Sequence, residues 1–212
     1  MKRKISFEKI GKYLREISVV VIGVAITLSA SYWITNRNEK KDMALYLNAI
    51  KLELEENIKT LHQHKEFLQK EVEYANYLKS NDKKAINLDT ILINYGRNIW
   101  SVQRPPINIY AFEMFKLSGT MRLIKDKELL LSLWKTYNIL DITKNSLFEE
   151  GSQAKGVEMK QEMSLILQAQ QEQKLVTIPM YNYYVNTFWS DDMLRSCIGV
   201  LELLEEVVSK FE

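Results

Sequence analysis

Residues 17–36 read ISVVVIGVAITLSASYWITN, and none of these twenty residues carries a charge. A helix rises about 1.5 Å per residue, so this stretch spans about 30 Å, the thickness of a bilayer's hydrocarbon core. Backbone amides must be paired in lipid, which makes a helix the expected structure. Tyr13 precedes the stretch, and Tyr32 and Trp33 lie near its end, where amphipathic rings suit the headgroup layers. The sequence therefore predicts one transmembrane helix at residues 17–36.

Two alternatives compete with an uncleaved anchor. A cleaved signal peptide would explain the basic start, and Ser29-Ala30-Ser31 resembles a small-residue cleavage site. However, the region before the apolar run is long and contains Glu8 and Glu16, which is atypical of a signal peptide. A core helix of a soluble protein rarely has so long an uncharged run. We therefore favour the anchor.

The distribution of charge predicts an orientation. The arm before the apolar stretch, residues 1–16, holds six basic residues: Lys2, Arg3, Lys4, Lys9, Lys12 and Arg15. Fewer basic residues follow closely: Arg37, Lys40, Lys41 and Lys51. Because the flank richer in Lys and Arg stays in the cytoplasm, we expect a cytoplasmic arm and an extracytoplasmic helical domain at residues 37–212. That domain contains 23 of the 29 basic and 25 of the 27 acidic residues, so its net charge is −2. A slightly acidic domain gives no reason to expect nucleic-acid binding.

Small residues recur every four positions within the apolar stretch, at Gly23, Thr27 and Ser31. Such a stripe lets two membrane helices approach closely, which predicts a helix-contact face for self-association or for docking on another membrane protein. The alternative is that small residues are simply common in membrane helices.

The residues after the anchor predict an all-α fold. Gly and Pro are scarce, at 7 and 3 residues, which favours long helices over a many-stranded sheet. Residues 38–80 form one amphipathic pattern, with apolar residues mostly at three- and four-residue spacing: Met43, Leu47, Ile50, Leu54, Ile58, Leu61, Leu68, Val72 and Ala75. Since neither Pro nor Gly separates the anchor from this pattern, we expect one continuous helix leading into a helical bundle outside the membrane.

Further helices are expected at residues 86–100, 109–118, 127–148, 157–174 and, after a cap at Ser190 or Asp191, up to residue 210. Asn108 and Asp126 are candidate N-caps, and Gly119 is a candidate left-handed residue after the helix at 109–118. We expect the long helix and the last three helices to form the bundle, with the two short helices across one end.

Two segments permit a functional or a structural interpretation. An aromatic run near the C-terminus is either a partner or ligand surface or a filling for the end of the bundle; it consists of Tyr181, Tyr183, Tyr184, Phe188 and Trp189. It lies in residues 175–189, which we expect to form an irregular loop or a short hairpin around Asn182. The segment KLSGTMR, residues 116–122, is either an anion-binding turn or a helix C-cap, and the C-cap is favoured.

Catalytic and metal-binding patterns are not evident. His62 and His64 lie about 200° apart on a helix and cannot share a metal, so exposed helix polarity is the simpler interpretation. Glu53, Glu55 and Glu56 lack Glu-x-x-His partners and are interpreted as a solvated face. Cys197 lies in an apolar stretch and is expected to be a buried hydrophobe. With no phosphate loop or nucleophile elbow in the sequence, we expect neither an enzyme nor a cofactor.

The anchor and the helices after it resemble a family of uncharacterised single-pass membrane proteins of Bacteroidota, a domain-of-unknown-function family. The matching residues are Tyr13-Leu14, Glu16-Ile17, Val20-Val21-Ile22-Gly23, Trp33, Asn38-Glu39, Tyr46-Leu47, ELEENI at 53–58, FEMFKLSGTMRL at 112–123 and IKDKEL at 124–129. The chain departs from the family at Thr27, Ser29 and Ser31, where the family is more aliphatic. The resemblance implies an anchor in the bacterial inner membrane and a helical body, but no known activity.

The sequence as a whole favours a non-enzymatic, membrane-anchored scaffold or accessory subunit, with the lipid bilayer and either a protein partner or another copy of itself as partners. The alternative is an extracytoplasmic helical bundle that senses a small molecule in a pocket lined by the aromatic run. That alternative is weakened by the short arm of residues 1–16, which holds no signalling output domain.

Overall fold

The computed structural model describes residues 7–81, 88–101, 103–150 and 189–211, together with residues 164 and 168. The described part is all-helical, as predicted. Its elements are α1 (Phe7–Ser80), α2 (Leu88–Trp100), α3 (Tyr110–Leu117), a 3₁₀ turn (Thr120–Leu123), α4 (Lys127–Ile142), a π-helical segment (Thr143–Glu150) and α5 (Trp189–Ser209). The predicted helix at 157–174 lies outside the described residues, except that residues 164 and 168 are helical.

Helix α1 is a single helix of 74 residues that joins the apolar stretch to the amphipathic pattern, which confirms the predicted continuity. Its residues 11–35 are exposed along their whole length, and burial becomes complete only at Ile50. Because Pro and Gly are absent from α1 after Gly23, nothing in its covalent structure interrupts the backbone hydrogen bonds between the two parts.

The other helices pack along the second half of α1. Helix α3 is antiparallel to α1, since Asn108 just before it contacts Asn57, and Arg122 just after it contacts Glu39. Helix α4 runs back in the opposite direction to α3. Helix α2 packs at the far end of α1, where the Tyr95 ring lies 5.2 Å from that of Tyr74. The expectation that both short helices cross one end is therefore wrong for α3, which lies alongside α1.

Helix α5 is antiparallel to α1 and completes the bundle. In the first half of α5, the Cys197 Sγ lies 3.6 Å from the Leu61 carbonyl oxygen, and just beyond the end of α5 the Lys210 Nζ contacts the Ser132 Oγ of α4 at 2.9 Å. Its apolar face joins the core, whose fully buried side chains come from four helices: Ile50, Leu54, Leu61, Phe115, Leu133, Cys197 and Leu204. Burying each leucine contributes about 1.5–3 kcal/mol, so this shared core holds the bundle to α1.

The helix boundaries confirm two predicted signals. Gly119 has φ 71°, the left-handed conformation that follows the end of α3. The Asp126 carboxylate accepts hydrogen bonds from the backbone N–H groups of Glu128 and Leu129, and so caps α4.

Two other capping predictions are wrong. The N-cap position of α3 is Ile109, not Asn108, and this residue makes no side-chain capping bond. The first turn of α3 is capped from α1 instead, where the Glu53 carboxylate accepts from the Ala111 N–H at 2.8 Å. Helix α5 begins at Trp189, so neither Ser190 nor Asp191 precedes it.

Candidate functional site: the outward face of α1 and the α3–α4 cleft

The predicted contact face of the apolar stretch consists of Gly23, Thr27 and Ser31, and all three are exposed. The Thr27 hydroxyl donates a hydrogen bond to the Gly23 carbonyl oxygen at 2.9 Å, so this polar group is paired within the helix. A Cβ added to Gly23 would meet no atom within 4 Å. The packing of this chain on itself therefore does not require a glycine there, and the small surface is open to another helix.

The same side of α1 carries two exposed leucines further along. Leu45 lies 18 residues after Thr27, which is about five full turns, and Leu52 lies about two turns beyond Leu45. They are 68% and 57% exposed, whereas Leu54, about 180° from Leu45, is fully buried in the core. The outward face of α1, defined here as Gly23, Thr27, Ser31, Leu45 and Leu52, thus points away from the chain's own bundle.

The apolar stretch itself is long enough to cross a membrane. An 18-residue window of α1 near the N-terminus has a mean hydropathy of 2.0, and none of it is buried against the rest of the chain. Val19, Val20 and Leu28 are each exposed by more than half. An exposed apolar surface of this size is unusual on a monomeric soluble protein, so this part of α1 needs a cover.

A small cleft of 170 Å³ lies between α3 and α4. Its lining residues are Ile109, Phe112, Glu113, Lys116, Trp134, Tyr137, Asn138 and Asp141. The Lys116 Nζ lies 2.5 Å from the Glu113 carboxylate and 5.5 Å from the ring centroids of Phe112 and Trp134. A cation of the chain itself therefore already occupies the aromatic surface on which a ligand cation would bind.

Glu53 of α1 lies behind this cleft and links three elements. Its carboxylate accepts a hydrogen bond from the Tyr137 hydroxyl at 2.7 Å and another from the Ala111 backbone N–H at 2.8 Å. Burial, reinforced by the Glu53 charge, raises the pKa of Tyr137 far above its usual value, so this phenol stays protonated and donating. The prediction that Glu53 belongs to a solvated face is wrong, although Glu55 and Glu56 are exposed as predicted.

The two histidines differ in environment. His62 is exposed and contacts the Glu205 carboxylate of α5 at 3.2 Å. His64 is only 4% exposed, and its ring lies edge-on to that of Phe148 at 5.0 Å. The prediction of exposed polarity is therefore wrong for His64, which shares the core side of α1 with Leu61 and Leu68.

Metal chemistry finds no support in the described part of the chain, where no three His, Cys, Asp or Glu side chains are grouped to hold an ion. The KLSGTMR segment adopts the favoured helix-ending conformation, and its two cations are engaged, Lys116 by Glu113 and Arg122 by Glu39. Cys197 is fully buried as predicted, and burial raises the pKa of its thiol to about 11.

The aromatic run Tyr181, Tyr183, Tyr184 and Phe188 lies outside the described residues, and Trp189 is the first residue of α5. Both interpretations of that run therefore stay predictions.

Comparison with known proteins gives no match to this chain among protein-family models, curated proteins or solved structures. The resemblance to the Bacteroidota family accordingly stays an expectation from the sequence. The geometry of the chain alone supports what is proposed next.

Proposed function

We propose that this chain is a non-enzymatic, membrane-anchored interaction protein that serves as a scaffold or accessory subunit. Residues 17–36 span the bacterial inner membrane, the basic arm lies in the cytoplasm and the helical body lies outside it. A second protein chain, either another copy or a different subunit, binds along the outward face of α1.

The observation that supports this proposal most strongly is that the two parts of the outward face, one inside the proposed bilayer and one beyond it, lie on the same side of α1. Within the bilayer the face offers the small residues Gly23, Thr27 and Ser31, which permit close helix packing. Beyond the bilayer the same side of the same helix offers Leu45 and Leu52, both exposed. One partner helix lying along α1 would contact both parts, and it would remove the two leucines from water.

The alternative is a small-molecule sensor with a pocket lined by the aromatic run at residues 181–189, which lies outside the described residues except for Trp189. The α3–α4 cleft does not supply such a pocket, because its 170 Å³ is below the roughly 300–1,000 Å³ of typical small-molecule sites and Lys116 covers its aromatic surface. Specific binding of a small molecule to the purified chain, lost when Tyr183 and Tyr184 are replaced by alanine, would favour the sensor instead.

The proposal is tested by extracting the full chain from membranes in a mild detergent and measuring the mass of the particle. We expect either a dimer or a stoichiometric complex with a second protein. The variant Gly23→Ile fills the small surface and should dissociate that complex. The matched control Ala25→Ile adds the same bulk on the opposite side of the helix and should leave it intact. A strictly monomeric particle without a co-purifying chain would contradict the proposal.

A further inference from the structure

The continuity of α1 fixes how far each part of the body lies from the end of the apolar stretch. Arg122, in the 3₁₀ turn, donates from its guanidinium to the Glu39 carboxylate at 2.6 Å. Glu39 is three residues beyond Asn36, so this contact lies about 4.5 Å along the axis from the last uncharged residue. The headgroup layer on each side of a bilayer is about 5–8 Å thick. An anchored chain therefore has Arg122 within that layer.

The segment around Arg122 is also the part of the body that lies nearest to the apolar stretch. Helix α3 descends towards it, with the Phe115 ring 5.9 Å from that of Tyr46. Helix α4 then ascends away from it, since Tyr137 contacts Glu53, further along α1. The connection between these two helices is therefore the end of the body that faces a membrane.

This connection is basic, whereas the body as a whole is slightly acidic. Residues 120–127 hold Arg122, Lys125 and Lys127, and all three are exposed. Arg122 is paired with Glu39, and the Lys127 Nζ donates one of its hydrogens to the Ile124 carbonyl oxygen at 2.9 Å, which leaves its charge facing outward. The one acid in residues 120–127, Asp126, has its carboxylate engaged in capping α4. Just before the connection, Leu117 is 87% exposed at the end of α3. Basic side chains beside an exposed apolar one match a surface of anionic headgroups over acyl chains.

We propose that the α3–α4 connection, residues 117–127, docks on the headgroups of anionic phospholipids, with Lys125 and Lys127 contacting lipid phosphate and Leu117 entering the interface. This inference rests on the proposed anchoring of residues 17–36. Docking ties the bundle to the bilayer at a second point beside α1. It thereby fixes the tilt of α1 and the direction in which its outward face points.

The test uses the full chain in lipid nanodiscs, with an environment-sensitive fluorophore attached at L117C. Cys197 is buried with a raised pKa and stays unlabelled in the folded protein. The nanodiscs contain phosphatidylcholine with increasing shares of phosphatidylglycerol, and a trace of lipid with a quencher on its headgroup. We expect quenching that grows with the phosphatidylglycerol share. A fluorophore at I93C, an exposed position in α2 at the far end of α1, should stay unquenched.

Charge variants identify the contacts. Replacing Lys125 by glutamine should weaken the response to phosphatidylglycerol about fivefold, and K125Q/K127Q should weaken it further. K125R/K127R should restore the response, because the charge returns. K59Q removes another exposed lysine, about 35 Å along α1 from Asn36, and should have no effect.

Two outcomes separate this inference from the proposed anchor. Release of the chain from vesicles by alkaline carbonate would contradict the anchor itself. An integral chain whose label at position 117 is unquenched, or equally quenched with and without phosphatidylglycerol, would overturn the docking proposal and leave the anchor standing.

Discussion

Asn57 is a single side chain that holds an otherwise irregular segment to α1. Its amide Nδ2 donates to the Asn108 carbonyl oxygen at 2.7 Å, and its Oδ1 accepts from the Asn108 N–H at 2.9 Å. Asn57 is fully buried, and it thereby satisfies both backbone groups of the residue that leads into α3. Asn57 interrupts the apolar pattern of α1, and through these two bonds it also positions the start of α3.

Replacing Asn57 by alanine should lower the free energy of unfolding by about 2 kcal/mol or more, because two backbone groups lose their partner in the protein interior. Urea unfolding of the full chain in detergent, followed by circular dichroism, measures the change. N49A, on the exposed side of the same helix, should change it by less than about 0.5 kcal/mol. Equal effects of the two variants would show that the Asn57 bonds contribute nothing specific.

Tyr137 and Glu53 give a residue-scale prediction that depends on pH. Y137F removes the hydroxyl that donates to Glu53 and should cost about 1–2 kcal/mol at neutral pH, whereas the exposed control Y110F should be neutral. The pKa of Tyr137 is raised in the folded state, so above about pH 10 only the unfolded chain releases this proton. The linked stability is complete below that pH and is lost as pH rises further.

The stability difference between the native chain and Y137F should therefore narrow above about pH 10, when it is measured by urea unfolding across a pH series. A difference that stays constant through pH 11 would show that Tyr137 ionises equally easily in both states.

At the scale of elements, the connection between α3 and α4 is built from two local signals. Gly119 takes the left-handed conformation that ends α3, and Asp126 caps α4. Both residues lie in the connection that is proposed to face the bilayer. Replacing either one should therefore destabilise that end of the body more than the far end.

D126A should lower the free energy of unfolding by about 1 kcal/mol, because two N–H groups at the start of α4 lose their acceptor. D126N keeps a capping oxygen and should recover most of that loss. In D126A, the hydrogen-exchange rate of backbone amides should increase mainly in the first turn of α4. Unchanged exchange at Glu128 and Leu129 would contradict the role of Asp126.

The sequence predicted the helices better than it predicted which of their side chains are buried. Asp126 and Gly119 were recognisable because capping and left-handed turns depend on residue type and local spacing. Glu53 and His64 were not, because their burial depends on which side of α1 the later helices cover. Their only signal was spacing: Glu53 lies four residues before Asn57, and His64 lies three after Leu61, which places both on the buried side. Likewise, the position of α3 beside α1 depends on contacts between residues distant in the sequence, such as that of the Phe115 ring with the Tyr46 ring.

At the scale of the whole molecule, α1 is both the apolar segment and the central helix of the bundle. The bundle of α3, α4 and α5 covers one side of its second half, and none of the described residues covers the opposite side from Gly23 to Leu52. Because the helix is continuous, a contact made within the bilayer and a contact made beyond it fall on one line. One partner helix lying along α1 can therefore contact both parts of the outward face.

Site-specific photo-cross-linking of the full chain in native membranes tests whether a partner helix lies along α1. A photoreactive phenylalanine analogue is placed at Leu45 or Leu52 on the outward face, and at the exposed positions Lys40 and Ala44, about 80–140° around the helix from those leucines, as controls. We predict a discrete cross-linked species, either a dimer of this chain or one defined heterocomplex, from positions 45 and 52 and not from 40 and 44. Cross-linking that is absent at all four positions, or equal at all four, would contradict the partner helix.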